Sequence, residues 1–333
     1  MNPIFSYSIN NSVKLVLLIF FIGFIGCNSN SIREYKSEVL PHFSENTTFL
    51  DEGTLLYFPD TLNPEKGNSI SIASWNIQHL GRTKTAEDVF EIANVLRDFD
   101  LVAIQEVVAK DPAGAQAVAR IADELNRMGS KWDYQVSDPT KSPSVYSSER
   151  YAFLWKTSKI NIVHRAFLDT DLEDLCFREP FVAAFKTKKD SELFYVVNYH
   201  SRKYNDKPEE EILHFIDYPK RLDSNRIIIA GDFNLSETHE VWKPFYQKGS
   251  RSALQATRTT LKWNCKNGDY LSHPIDNFYF TSGITSNYSG SIDIVGHCDN
   301  LKRVREISDH LPVFMKFKIS GNDNAEVYLK NSN

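Results

Sequence analysis

Four apolar runs in this chain end on an amide, a carboxylate or an imidazole, and a fifth begins on one; no other feature constrains the fold as much. Residues 70–75 lead into Asn76, 101–104 into Gln105-Glu106, and 193–197 into Asn198-Tyr199-His200. Residues 226–230 lead into Gly231-Asp232-Phe233-Asn234, and Ser308-Asp309-His310 opens the alternating run Val313, Met315, Phe317. Short apolar runs of this length read as strands, and a continuous one such as 101–104 reads as a strand covered on both faces. Further strands are expected at 151–155, 181–185 and 274–280. Helical spacing appears at 85–98 (Val89, Ile92, Ala93, Val95, Leu96), at 114–127 (Ala117, Val118, Ile121, Leu125) and at 209–218, where Pro219 stops the pattern. The helices do not alternate strictly with the strands. This pattern predicts an α/β sandwich of two mixed sheets packed face to face, with helices outside. No Gly-rich phosphate loop is present, which argues against a mononucleotide-binding fold.

The polar strand ends point to one site. A buried carboxylate at a strand end needs a partner. For Glu106 that partner is either a cation, with Asn76 as a second oxygen ligand, or an arginine. A hard divalent ion such as Mg²⁺ takes oxygen ligands of this kind. Asp232 and Asn234, two apart, point to the same side if the chain stays extended. Otherwise one of them makes an Asx turn. His200 and His310 are the two histidines at the ends of apolar strands, and two imidazoles can divide general-base and general-acid work. Each needs an orienting acid, and Glu149 and Asp276 are the available carboxylates. Neither a Gly-x-Ser-x-Gly elbow nor a setting for a nucleophilic cysteine occurs. Attack by an activated water on a phosphate ester is the expected chemistry.

The 333 residues carry 38 basic and 43 acidic side chains, so a net charge of −5 gives no bulk attraction to nucleic acid. At the N-terminus, Lys14 precedes a short apolar run that ends Phe24-Ile25-Gly26-Cys27, which reads as a secretory signal over residues 1–26. The Gly-Cys end resembles a bacterial lipoprotein lipobox, with Phe24 where Leu is usual. This implies lipidation at Cys27, membrane tethering and a cell-envelope location, with outer-membrane sorting the default because Asn28 is not a retention Asp; plain secretion is the alternative. Residues 27–68 read as an irregular tether, 69–320 as the folded domain and 321–333 as a disordered tail. Export permits a disulfide. Of Cys176, Cys265 and Cys298 at most two can pair, and Cys265 with Cys298 is the choice because both lie in the loop-rich final third. Three unpaired thiols is the other reading.

The motifs Ser74-Trp75-Asn76, Gln105-Glu106-Val107, Glu149-Arg150-Tyr151, Arg178-Glu179-Pro180, Tyr199-His200-Ser201, Gly231-Asp232-Phe233-Asn234, Ile275-Asp276 and Ser308-Asp309-His310 stand in one order over about residues 70–318. Together they resemble the endonuclease/exonuclease/phosphatase superfamily, and within it the DNase I-like branch. The resemblance implies a four-layered α/β sandwich that cleaves phosphodiesters with Mg²⁺, or with Ca²⁺ or Mn²⁺. Asn76 and Glu106 would hold the metal, with Asp309 near it. Glu149 would orient His200, and Asp276 would orient His310. Asp232 and Asn234 would position nucleophile and phosphate, and Arg178 would reach a DNA phosphate. A monomer is expected.

Two positions depart from that branch. Val108 stands where an Arg reaches the minor groove, and Gln78 where an Arg touches the backbone. Losing two cations weakens duplex binding; Arg82, Lys84, Arg202 and Lys203 are the candidates to replace them. The first functional reading is therefore an exported DNA endonuclease. The alternative is a phosphatase or phosphodiesterase acting on a lipid headgroup or small phosphoester, and a non-catalytic surface-binding protein on the same fold is a third.

Overall fold

The computed structural model describes residues 69–144 and 147–320, and the backbone of Thr48–Leu50 and Thr54–Leu56. The signal segment, Cys27 and the tail after residue 320 lie outside the described residues. Two mixed sheets form the centre. One has six strands in the order Ile284–Ser291, Val313–Ile319, Ile70–Leu80, Leu101–Val108, Glu149–Lys156 and Trp132–Val136. The other has seven. Arg251–Ser252, Asp276–Phe280, Ile227–Asp232, Leu193–His200, Phe181–Thr187 and Ile160–Ile162 run in that order, and Phe167–Leu168 pairs with Phe181–Thr187 beside them. Each sheet has one parallel pair, Ile70–Leu80 with Leu101–Val108 and Leu193–His200 with Ile227–Asp232.

The continuous apolar runs are explained by burial on both faces. Ile72, Leu101, Ala103, Tyr151 and Phe153 point between the sheets, against Phe181, Phe194, Val196 and Phe278. Their neighbours Ala73, Trp75, Val102, Ile104 and Leu154 point outward, under the helices Ala86–Leu96, Ala113–Arg127 and Leu301–Ile307. A third cluster, including Val197, Ile229, Phe215 and Trp242, covers the outer face of the second sheet. The result is the four-layered sandwich that the pattern predicts. Each large side chain so buried contributes about 1.5–3 kcal/mol.

Local signals set the boundaries. Thr85 and Asp88 form a reciprocal capping box that starts the first helix. The helix expected at 209–218 is broken: a turn at Glu209–Ile212, a tighter stretch at Leu213–Asp217, then Tyr218–Arg221. Pro219 sits in the first turn of that last helix and starts it, because a missing N–H costs nothing there. The stretch expected to be an irregular tether contains a short antiparallel pair, Thr48–Leu50 with Thr54–Leu56. Cys265 and Cys298 are joined in a disulfide, and Cys176 is a buried free thiol.

Candidate active site

The parallel pair in each sheet carries its polar strand ends to one edge of the sandwich. Asp232 is the hub. Its Oδ2 lies 3.6 Å from Nε2 of His200 and 3.6 Å from Nε2 of His310, and it accepts a hydrogen bond from Asn76 Nδ2 at 3.2 Å. Each imidazole is backed by its own acid. His200 Nδ1 is 2.9 Å from Glu149 Oε2, and His310 Nδ1 is 2.9 Å from Asp276 Oδ2. These bonds assign the ring tautomers: Nδ1 donates to the acid, and Nε2 faces the centre. Glu149 also pairs with Arg178, at 2.8 Å, whereas Asp276 accepts from the Thr259 hydroxyl at 2.6 Å.

The backbone is bent to bring these groups together. Glu106 has φ 59° and His79 φ 50°, both within register shifts of the first sheet. Such a bulge re-aims a side chain that a regular strand would point elsewhere. Ile104 and Ala152 are register partners at the edge of the bulge. The fully buried Asn198, from the other sheet, donates to both their carbonyls at 3.1 Å and accepts from Gln105 at 2.7 Å. Gly231 has φ 149°, and a Cβ there would lie 1.8 Å from the Tyr199 carbonyl, so only glycine fits immediately before Asp232. Asn234 has φ 50°, and its N–H donates to Asp232 Oδ1 at 2.9 Å. Extended geometry therefore does not extend past Asp232: the strand ends in an Asx turn, and that turn places Asn234.

Electrostatics follow from this packing. Burial disfavours a charged His310, but Asp276 and Asp232 outweigh it and raise its pKa to about 10. His200 is raised as well, by Glu149 and Asp232 against its burial and the opposing charge of Arg178. Burial would lift Glu149, yet His200 and Arg178 hold its carboxyl below the usual range. Asp276 moves the other way, raised by burial and by the charge of Asp232 despite His310.

A divalent cation fits the residues present. Asn76 Oδ1 is buried and accepts no hydrogen bond, while the Nδ2 of the same amide is committed to Asp232. An orphaned amide oxygen of this kind is costly unless a cation or donor reaches it. Glu106, Glu149 and His200 offer ligand atoms within 4.8 Å of one another, as do Asp232, Asp276 and His310. Glu106 is partly exposed, not buried as the sequence suggested, and its Oε2 accepts from the His79 N–H. Asp309 belongs to neither group. Its carboxylate lies 4.0 Å from Arg305.

The candidate cations separate sharply. Arg178 reaches the site, where it holds Glu149 and the Ser201 carbonyl. Arg202 is committed elsewhere: its Nε pairs at 2.9 Å with Glu211, a fully buried acid that also accepts from the Tyr199 hydroxyl. Lys84 is buried, and its Nζ donates to the carbonyls of Glu306 and Ile307 at 2.8 and 2.6 Å. It caps the helix that precedes Ser308, and its charge is felt by Glu106 and Asp309. Lys203 and Arg82 remain exposed. Sequence reasoning assigned no role to Thr259, Asn198 or the Ser308 hydroxyl, which donates to Asn76 O at 2.6 Å and accepts from His310 N at 3.0 Å. Of these only Ser308 carried a signal, as part of Ser308-Asp309-His310.

This fold and this paired-imidazole site define a class. The chain belongs to the endonuclease/exonuclease/phosphatase family, whose profile matches residues 73–310. It is 26% identical over 269 residues to a deoxyribonuclease of Thioalkalivibrio sp. (strain K90mix), covering 75% of this chain and 71% of that protein. It is 29% identical over 175 residues to deoxyribonuclease-1 of Ovis aries, covering 50% of this chain and 65% of the sheep protein. Among solved structures, its fold is similar to that of a family member from Bacteroides thetaiotaomicron, with TM-score 0.55, 17% identity, and coverage of 76% of this chain and 98% of that one. It is also similar in fold to the human Nocturnin catalytic domain with bound sulfate anion, with TM-score 0.52, 15% identity, and coverage of 76% and 94%.

Proposed function

We propose that the protein is an exported, metal-dependent phosphodiesterase that cleaves DNA endonucleolytically. The observation that carries this reading is Asp232, whose one carboxylate oxygen stands 3.6 Å from the Nε2 of two imidazoles, each fixed at Nδ1 by its own acid. A phosphodiester seated against the two Nε2 atoms meets a hydrogen-bond donor at the imidazolium and an acceptor, for the attacking water, at the neutral ring. Water attacks phosphorus as the bond to the leaving oxygen breaks. The proton of that water passes to Asp232 or to a neutral imidazole, and the leaving oxygen takes a proton from an imidazolium. Arg178 holds Glu149 in place and adds positive charge where the oxygens on five-coordinate phosphorus gain negative charge. A divalent cation on Asn76 and Glu106, Mg²⁺ by preference for oxygen, would supply Lewis acidity toward a phosphoryl oxygen. The deoxyribonuclease names of the relatives support DNA as the substrate.

One observation favours the smaller-phosphoester reading. Val108 is partly buried, with Gly81 packed against it so closely that a Cβ there would lie 2.9 Å from its Cγ2, and that position is apolar. The test compares supercoiled plasmid, a lipid headgroup diester and a nucleotide monoester, each with Mg²⁺ or EDTA, using the full-length protein and His310→Ala. Mg²⁺-dependent nicking that the variant loses supports the DNA reading. Turnover confined to a small ester would overturn it, and silence on every substrate would leave a binding protein.

Anchoring through Cys27 belongs to the same proposal, and the Cys265–Cys298 disulfide suits an oxidising compartment. Labelled fatty acid should enter the native chain in cells and not Cys27→Ser. Equal labelling of the two would remove the anchor.

A further inference from the structure

Trp263 is 81% exposed, more than any other large apolar side chain among the described residues. It sits on the hairpin formed by Leu261–Lys266 and Asp269–Leu271. A large exposed indole leaves apolar surface in water that burial would remove, so its surroundings matter. The Arg305 guanidinium lies 4.1 Å from the ring centroid and covers one face. Arg305 is itself fixed: its Nη1 donates to Leu261 O at 2.7 Å, and its Nη2 lies 4.0 Å from Asp309.

The hairpin is tied to the reacting groups at three points. Leu261 N donates to Asp309 O at 2.8 Å, Leu311 N donates to Thr259 O at 2.7 Å, and Thr260 bridges to His310. The disulfide from Cys265 to Cys298 pins the hairpin's far end to the segment that leads into the helix bearing Arg305. Trp263 is two residues along the strand from Leu261, a distance of about 7 Å. Residues 258–271 carry three basic side chains, Arg258, Lys262 and Lys266, against the single acid Asp269. An exposed indole backed by a guanidinium, three residues along the chain from Thr260, which bridges to His310, has the chemistry of a base-stacking platform.

We propose that Trp263, backed by Arg305, stacks an unpaired nucleobase beside the scissile phosphate, so that the preferred substrate is single-stranded or locally unpaired nucleic acid. This inference rests on the phosphodiesterase reading and extends it. The apolar, packed position of Val108 is consistent with it, because no cation there reaches into a duplex groove.

The test uses the full-length protein and three fluorescently end-labelled substrates: a single-stranded oligonucleotide, its duplex, and an oligonucleotide of equal length with abasic sites. The unaltered protein should prefer the base-bearing single strand. Trp263→Ala should erase that preference, lowering kcat/KM on the single strand about 5- to 150-fold relative to the abasic strand. Trp263→Phe should restore most of it. In a second arm, oligo-dT is titrated in EDTA while tryptophan fluorescence is followed, and a quench should occur in the unaltered protein and be absent from Trp263→Phe. Equal losses on base-bearing and abasic strands, or a quench that Trp263→Phe retains, would overturn the platform. Hydrolysis of bis(4-nitrophenyl) phosphate by the unaltered protein reports separately on the phosphodiesterase reading. If that fails, the fluorescence arm still decides whether a base stacks on Trp263.

Discussion

His200 and His310 meet the same carboxylate oxygen at the same distance, 3.6 Å, yet different chemistry holds them. On the His200 side, Glu149 divides its charge between the imidazole and Arg178. On the His310 side, Asp276 faces a neutral hydroxyl, Thr259, and is enclosed. Geometry is therefore shared and electrostatics are not. Arg178 stabilises Glu149 as an anion and opposes charge on His200. No arginine does so at Asp276, and the pKa of His310 is raised to about 10 by Asp276 and Asp232 against its burial. Pairs of groups whose surroundings differ in this way are how one site keeps an acid and a base at the same pH. Both imidazoles are raised, and His310, with no arginine opposing its charge, is the better suited to donate a proton.

The most severe test of this comparison removes the imidazoles. His200→Ala and His310→Ala should each lower kcat about 10²- to 10⁴-fold, and the double variant should be scarcely worse than either single one, because both act on one phosphate. Multiplying effects would mean that the two sides work independently.

Next come the backing acids. Glu149→Gln and Asp276→Asn should both lose about 10²-fold or more in kcat and both lose stability, Glu149→Gln the more. Glu149→Gln leaves Arg178, whose side chain is 11% exposed, without its ion-pair partner, at a cost of about 3 kcal/mol. That figure is the low end, because Arg178 keeps the Ser201 carbonyl. In Asp276→Asn the amide oxygen can still accept from Thr259 and His310. Thermal melts of the two variants side by side would separate them, and equal melting points would break the comparison.

The smallest expected effect lies behind the His310 side. Arg303, on the helix leading to Ser308, pairs with Asp88 at 2.6 Å and Glu91 at 2.9 Å. Burial pushes Asp88 up, but the Thr85 backbone N–H and Arg303 hold its carboxyl below the usual range. A carboxyl depressed on folding adds stability that is present above the unfolded value, about 3.9, and is lost as pH falls through the folded value. Asp88→Asn should therefore melt about 2–4 °C lower at pH 7, corresponding to about 1 kcal/mol of lost cap. The gap should close as pH falls below about 3.9. A gap that is constant with pH would assign the effect to packing instead of charge.

Much of the fold could be read from the chain because apolar alternation and continuous runs are local. Leu101 and Ala103 point one way and Val102 and Ile104 the other, so a run covered on both sides announces a central strand. Strand Trp132–Val136 and helix Leu301–Ile307 escaped because their apolar residues are few and interrupted. In the site, Asn76, His200, Asp232 and His310 were legible because each is a polar residue terminating or opening an apolar run. Arg202 and Lys84 were misread as cations available to a substrate. Their partners, Glu211 in one case and the carbonyls of Glu306 and Ile307 in the other, are chosen by contacts that no local pattern records. Thr259 and Asn198 look like ordinary loop and strand residues until the sheets are stacked.

By itself the sequence determined which side chains stand at strand ends and which faces are apolar, because both depend on neighbours two to four positions away. It also determined the charges available there. Only the tertiary structure decided that Asp232 lies between two imidazoles 110 positions apart in the chain, that Arg178 and Thr259 make the two sides unequal, and that a disulfide ties the hairpin bearing Trp263 to the segment before the last helix. Those outcomes depend on how two sheets stack and where their bulges fall. The cause is the collective burial of three apolar layers, which brings residues distant in sequence within 4 Å of one another.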